Sequence, residues 1–234
     1  MKIEVWSDFV CPFCYIGKRR LEKALDNFEH RENVEVEYKS FELDPNSPVN
    51  SEKTIHEAIA EKYNMSLDEA KKTNENIGNQ AKTVGLTYHF DNMIPTNTFM
   101  AHRLVKFAKK FNKDTAITEQ LLHGYFTENI NLGDHDTLAN IAESVGLDRE
   151  QSLEILHDEN AYAKEVRDDE ALAKKYGVSG VPFFIINSKY AISGAQPLET
   201  FTSALEKVWA EEKPQFENLS STDNGVCTDD SCNV

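Results

Sequence analysis

A chain of 234 residues, 40 % hydrophobic and 10 % aromatic, can bury a core as one large domain or as a domain carrying an insertion. Its formal net charge of −15 argues against nucleic acid and anionic membrane surfaces as partners, and no apolar run approaches membrane-spanning length. No signal-peptide pattern precedes the first apolar alternation, so a cytoplasmic protein is expected, where four cysteines suit catalysis or redox sensing better than a structural framework.

The first strand is expected at Lys2-Ile3-Glu4-Val5. It leads into Trp6-Ser7-Asp8-Phe9-Val10-Cys11-Pro12-Phe13-Cys14-Tyr15-Ile16-Gly17, and then into a helix with Ile16, Leu21, Ala24, Leu25 and Phe28 on one face. Strand, turn, Cys-x-x-Cys and helix in that order read as a redox motif. With Pro12 as the first helical residue, Cys11 falls at the N-cap. There, unpaired backbone N–H groups and the positive end of the helix dipole favour a thiolate. Cys14 lies one turn on and on the same side. Cys11 is therefore the expected nucleophile and Cys14 the resolving thiol. The competing readings are a buried structural pair, which fits poorly with a strand-to-helix turn, and half of a metal site.

A second strand follows at Val34–Phe41, broken by Asp44-Pro45-Asn46-Ser47-Pro48. Residues 51–176 read as helices. A capping box of Ser66 and Glu69 opens one that Gly85 ends. Further apolar stripes run through Met100, Leu104, Phe107 and Phe111, through Ile117, Leu121 and Tyr125, and through Leu138, Ile141, Ala142 and Val145 up to Gly146. Asp148 with Gln151 resembles another cap, and Tyr162, Val166 and Leu172 lead to Gly177. His135 is expected in a loop whose Asp136 caps the next helix. His102 reads more naturally as packing than as a cleft residue. Phe183-Phe184-Ile185-Ile186-Asn187 is a strand buried on both faces. Ser188-Lys189 is its turn, Tyr190–Gly194 its hairpin partner, and Pro197 opens a last helix. The order is β-α-β, helices, then β-β-α. It predicts an α/β thioredoxin fold with an inserted helical domain: residues 1–50 and 177–212 form the thioredoxin-like domain, 51–176 the insertion and 213–234 a flexible tail.

Gly180-Val181-Pro182 precedes the buried strand, where a proline is tolerated. In this fold the loop faces the cysteines. A cis Val181–Pro182 bond is expected, with the Val181 backbone free to pair with an extended substrate chain. Val181, Pro12 and Phe13 are the expected substrate contacts. No Gly-rich phosphate loop is present, so no nucleotide cofactor is expected.

These residues, together with Phe41-Glu42-Leu43-Asp44-Pro45, Asn97-Thr98, Ala101-His102-Arg103 and Val178–Phe184, resemble the DsbA family, and within it the FrnE-type oxidoreductases. The resemblance implies exchange of protein disulfides, with Cys11 exposed, Cys14 shielded and cis-Pro182 opposite, and no cofactor beyond the redox-active disulfide. It extends to 2-hydroxychromene-2-carboxylate isomerases and kappa-class glutathione transferases, which use glutathione and usually carry serine at the nucleophile position. A glutathione-dependent isomerase or transferase is the alternative reading. Phe13 stands where periplasmic DsbA proteins often have histidine, and this implies a less oxidising couple.

The polar tail ends in Cys227-Thr228-Asp229-Asp230-Ser231-Cys232. Four intervening residues suit a turn that closes a local disulfide. At up to about 3.5 Å per residue the stretch from Pro214 could reach Cys11. Cys227 and Cys232 are expected to form a second redox pair, with Asp229 and Asp230 disfavouring its thiolates by repulsion. A Cys₄ zinc site joining all four cysteines is a further alternative, weakened by the loose Cys-x₄-Cys spacing. No metal is expected.

Overall fold

A computed structural model describes residues 1–212 and two short strands, Val226–Thr228 and Ser231–Asn233, of which only the backbone is described. Of the tail expected to be flexible, residues 213–234, positions 213–225, 229, 230 and 234 lie outside the described residues.

The chain runs β1 (Lys2–Ser7), α1 (Pro12–Asp26), β2 (Glu35–Ser40), seven helices from α2 (Ile55–Lys62) to α8 (Ala163–Lys175), β3 (Phe183–Ile186), β4 (Tyr190–Ser193) and α9 (Leu198–Glu212). The sheet order is β2-β1-β3-β4. β1 is parallel to β2 and antiparallel to β3, with Trp6 opposite Phe183 and Ile3 opposite Ile186. The two ends of the chain thus share one sheet, as the element order predicts. The β3–β4 turn begins one residue earlier than expected. Asn187 and Ser188 both have positive φ (50° and 54°) and open a three-residue connection, residues 187–189, between Ile186 and its partner Tyr190.

The strand period of two gives this sheet unlike faces. Ile3 and Val5 of β1, Tyr38 of β2 and Phe184 and Ile186 of β3 pack against Leu21, Leu25 and Phe28 of α1 and Phe201, Leu205 and Val208 of α9. The other face carries Trp6 and Ile185 beside Ala173 and Val178. It also carries Glu4, Glu37 and Lys39, at positions an alternating pattern assigns to solvent. Here α4 (Phe99–Lys109) and α8 cover them. Ion pairs occupy that layer. Lys39 Nζ lies 3.0 Å from Glu37 and 3.5 Å from Asp169 of α8, while Lys106 and Lys109 of α4 close on Asp169 and Glu37.

The larger core lies within the helical segment. Leu104 (α4), Ile117 and Leu121 (α5, Asp114–His123) and Leu138 and Ala142 (α6, His135–Ser144) pack with Tyr15 and Ile16 of α1 and with Phe9. Phe111 is a correction: it falls beyond the end of α4, immediately before Asn112 (φ 55°), and is exposed. Tyr125 likewise leaves α5 for a π turn at Gly124–Glu128. The Ser66 and Glu69 box caps α3 (Leu67–Lys82) reciprocally, and Thr54 with Glu57 does the same for α2. Asp148 accepts from Gln151 N at the start of α7 (Arg149–His157). Asp134, not Asp136, caps α6, because His135 already lies in the helix and the cap must precede it.

Burial opposes ionisation of Glu37, but hydrogen bonds from Lys109, Lys2 and Lys39 outweigh it and hold the carboxyl at about 2, against an ordinary 4.5. Its contribution to stability is then fully present above about pH 4.5 and is lost as pH falls toward 2. Glu37→Gln is expected to cost about 1–3 kcal/mol at pH 7, less than a fully buried pair because Lys2 and Lys109 reach solvent. The gap from wild type should close between pH 5 and pH 2 in denaturant titrations; a gap independent of pH would contradict this.

Candidate active site

Cys11 is the N-cap of α1, with extended backbone (φ −91°, ψ 110°) and Pro12 as the first helical residue. This is the placement its sequence predicts. Its thiol points to Val181 O at 3.5 Å, on the loop that carries the cis Val181–Pro182 bond. Asp8 N–H donates to Cys14 Sγ at 3.5 Å. Burial first, then the neighbouring Cys11, pushes the Cys14 thiol well above its ordinary value, against opposing hydrogen bonds from Ser7 and Asp8 N–H.

Cys14 is shielded, at 2 % exposed, but Cys11 is only 4 % exposed. The expectation of an exposed first cysteine is therefore corrected. The Val181–Pro182 loop lies close over α1, and Cys11 opens into a cleft rather than onto the surface. The approach depends on Gly17. A Cβ there would stand 3.0 Å from Pro182 Cγ and 3.2 Å from Phe184 Cζ.

The cleft has a volume of about 730 Å³. Cys11, Pro12, Phe13 and Val181 form its thioredoxin side, and Ile55, Ile59, Tyr63 and Ile77 of α2 and α3 much of its helical wall. Phe13 is 37 % exposed at the mouth. The three expected substrate contacts thus share one surface with Cys11, while Cys14 does not line it.

Several residues that fix this geometry were not singled out by the sequence. Asp8 is buried, and its carboxylate accepts from Phe9 N and Leu43 N, both at 2.8 Å, and faces His102 Nε2 of α4 at 3.3 Å. It joins the end of β1, the segment after β2 and the helical segment directly behind Cys14. His102 also packs on Phe9, with ring centroids 4.7 Å apart, so the packing reading of His102 holds and a polar contact adds to it. Tyr88 OH donates to Pro12 O at 2.8 Å while its ring stacks on Phe126. Burial pushes the Tyr88 and Tyr125 hydroxyls up, so both remain protonated donors. Asp8 lies inside the motif that carries Cys11 and was the one of these with a local signal.

In the short C-terminal hairpin the backbone register sets Cys227 opposite Cys232. Among the described residues no three His, Cys, Asp or Glu side chains form a metal-ligand cluster. Nor is any helix among them long and apolar enough to cross a membrane.

This sheet order, with Cys-x-x-Cys at a helix N-terminus facing a cis-proline loop, defines a thioredoxin-like protein. The chain belongs to the DSBA-like thioredoxin domain family, whose profile matches residues 2–206. It is 40 % identical to the probable DsbA oxidoreductase SCO1869 from Streptomyces coelicolor, over 100 % of this chain and 99 % of that one, with a TM-score of 0.87. It is 32 % identical to the uncharacterized protein YwbO of Bacillus subtilis (strain 168) over 207 residues, 87 % of this chain and 94 % of YwbO. A 2-hydroxychromene-2-carboxylate isomerase shares the fold at a TM-score of 0.71 and 17 % identity, over 94 % of this chain and 100 % of that one.

Gly17→Ala is expected to destabilise by about 1–3 kcal/mol through overpacking. Because it displaces the loop that covers Cys11, it should also speed iodoacetamide alkylation of that thiol severalfold. Unchanged unfolding and alkylation would contradict the packing role given to Gly17.

Proposed function

We propose that this protein is a thiol-disulfide oxidoreductase that exchanges disulfides with protein substrates through Cys11 and Cys14. The observation that carries the reading is the Cys11 thiol at the α1 N-cap, 3.5 Å from Val181 O and facing the cleft, with Cys14 one turn behind. In the reductive direction Cys11 thiolate attacks a substrate disulfide. A Cys11–substrate disulfide forms, and one substrate sulfur leaves and takes a proton. Cys14 then gives up its proton and attacks Cys11 sulfur. The second substrate thiol leaves, and the enzyme holds a Cys11–Cys14 disulfide. The reverse sequence oxidises a dithiol. Val181 pairs with the extended substrate backbone, and Pro12 and Phe13 line its path. The chemistry uses no cofactor beyond this disulfide, and a reducing, cytoplasmic setting suits it.

The tail pair belongs to the same reading. Residues directly opposite in an antiparallel pair have Cα atoms about 4.5–5.5 Å apart, within disulfide range. Cys227 and Cys232 act as a second redox pair that exchanges with Cys11–Cys14. The alternative is a glutathione-dependent isomerase or transferase. Its support is the isomerase fold and a cleft large enough for a small organic substrate.

Cys11→Ser is expected to abolish exchange with a model protein disulfide. Cys14→Ser should accumulate a covalent Cys11–substrate disulfide, visible on a non-reducing gel and by mass. Removal of residues 215–234 should slow the recycling of oxidised enzyme if the tail participates, and an unchanged rate would exclude it. Full isomerase or glutathione-transfer activity in Cys14→Ser, with no trapped protein disulfide, would overturn the reading in favour of the alternative.

A further inference from the structure

Asp8 touches both cysteines of the couple through its backbone. Its N–H donates to Cys14 Sγ at 3.5 Å, and its C=O accepts from Cys11 N at 3.2 Å. One residue thus stands against the amide of the nucleophile and the sulfur of the resolving thiol. Its side chain is tied to the turn before α1, the segment after β2 and α4. The carboxylate accepts from Phe9 N and from Leu43 N, each at 2.8 Å, and faces His102 Nε2 at 3.3 Å. A carboxylate only accepts, so the imidazole donates from Nε2. Asp8 is 1 % exposed, so these partners take the place of water. A side chain held in this way anchors the backbone that carries it, and with it the direction of the Asp8 N–H.

The two steps of disulfide exchange make unequal demands on that N–H. In the first step Cys11 attacks and Cys14 remains a thiol. In the second Cys14 must carry negative charge where burial opposes it. Water has almost no access to this sulfur to stabilise that charge. A hydrogen bond to an ionised acceptor is stronger than one to a neutral acceptor. A donor already aimed at a developing charge also costs no reorganisation when the charge appears. The Ser7 hydroxyl is a further donor to Cys14, but a hydroxyl rotates, whereas the Asp8 N–H is fixed with the backbone. The carboxylate's own charge opposes a thiolate nearby. Its geometric effect and its charge effect on the second step therefore have opposite signs, and substitution separates them.

We propose that Asp8 is a positioning residue for the resolving step: its carboxylate, held by Phe9 N, Leu43 N and His102, aims the Asp8 N–H at Cys14 sulfur, so that Cys14 can attack the Cys11–substrate disulfide. In that step Cys14 sulfur bonds to Cys11 sulfur and the Cys11–substrate bond breaks. The substrate thiolate leaves with the electron pair, and the proton that Cys14 released balances it. The inference rests on the oxidoreductase reading and assigns a residue to its second step.

The test separates the two steps. Reduced full-length protein is mixed with bis(2-hydroxyethyl) disulfide, quenched in acid at intervals and mapped by mass. The mercaptoethanol adduct on Cys11 reports the first step by its appearance and the second by its conversion to the Cys11–Cys14 disulfide. Asp8→Ala should leave the appearance within about twofold of wild type and slow the conversion about tenfold, the effect of one misaimed hydrogen bond to a charged group. Asp8→Asn keeps an acceptor and loses the charge, and its conversion rate should fall between those of wild type and Asp8→Ala. His102→Leu removes one anchor and keeps an apolar side chain on Phe9. It should slow the conversion about threefold with the appearance unchanged, and it carries the test alone should Asp8→Ala fail to fold. Unchanged conversion in folded Asp8→Ala or in His102→Leu, equal slowing of both steps, or faster conversion in Asp8→Asn than in wild type would overturn the inference while leaving the oxidoreductase reading intact. A wild-type Cys11 that stays a thiol throughout would overturn both.

Discussion

The antiparallel pairing of β1 with β3 is the constraint on which the site depends. It sets Trp6 beside Phe183, so the segments that leave these strands, one leading to Cys11 and one arriving from Val181 and Pro182, meet at the same end of the sheet. The cysteine thiol and the loop carbonyl come within 3.5 Å although the whole helical segment lies between them in sequence. The close approach has a steric condition, met by a glycine at position 17 under Pro182. Neither the helix N-cap nor the loop defines a site by itself. Together they place a sulfur at a helix N-terminus beside the backbone of the Val181–Pro182 loop.

The helical segment is joined to this frame by unlike means on its two sides. Tyr15 and Ile16 of α1 enter its apolar core, whereas the sheet face beneath α4 and α8 meets it through Glu37, Lys39, Lys106 and Asp169. Ion pairs of this kind add little net stability but are costly to mismatch, so they fix how the helices sit over the sheet. Asp8 does the same at the site itself, drawing Leu43 N and His102 to the back of Cys14. The cleft is the space left between the two bodies, with Cys11 on one side and α2 and α3 on the other.

The sequence made these features legible unevenly, for physical reasons. Cys11, Cys14 and Pro182 could be found because their chemistry is local: a thiol pair one turn apart and a proline at a strand's edge have few other uses. Ser66 and Asp148 could be found because a cap is a relation between neighbours. Asp134 was passed over for Asp136 because either side of His135 carries a competent side chain, and only the helix start decides between them. The burial of Glu4 and Glu37, and the partial burial of Lys39, were hidden because a period of two reports which residues share a face, not what covers it. The near-complete cover over Cys11 depends on a loop from the far end of the chain, and no local pattern reports it. Family membership follows from residues 2–206 as a whole, whereas the substrate depends on such long-range contacts.

The central claim, that Cys11 and Cys14 form a reversible redox couple, is tested most directly by equilibrating the full-length protein in graded thiol–disulfide buffers and reading both cysteines by alkylation and mass. The account predicts one two-electron transition in which Cys11 and Cys14 are oxidised together, at a potential clearly below the roughly −120 mV of a strongly oxidising DsbA. Cys11 and Cys14 that stay thiols at every buffer ratio, or that form only mixed disulfides with the buffer, would contradict it.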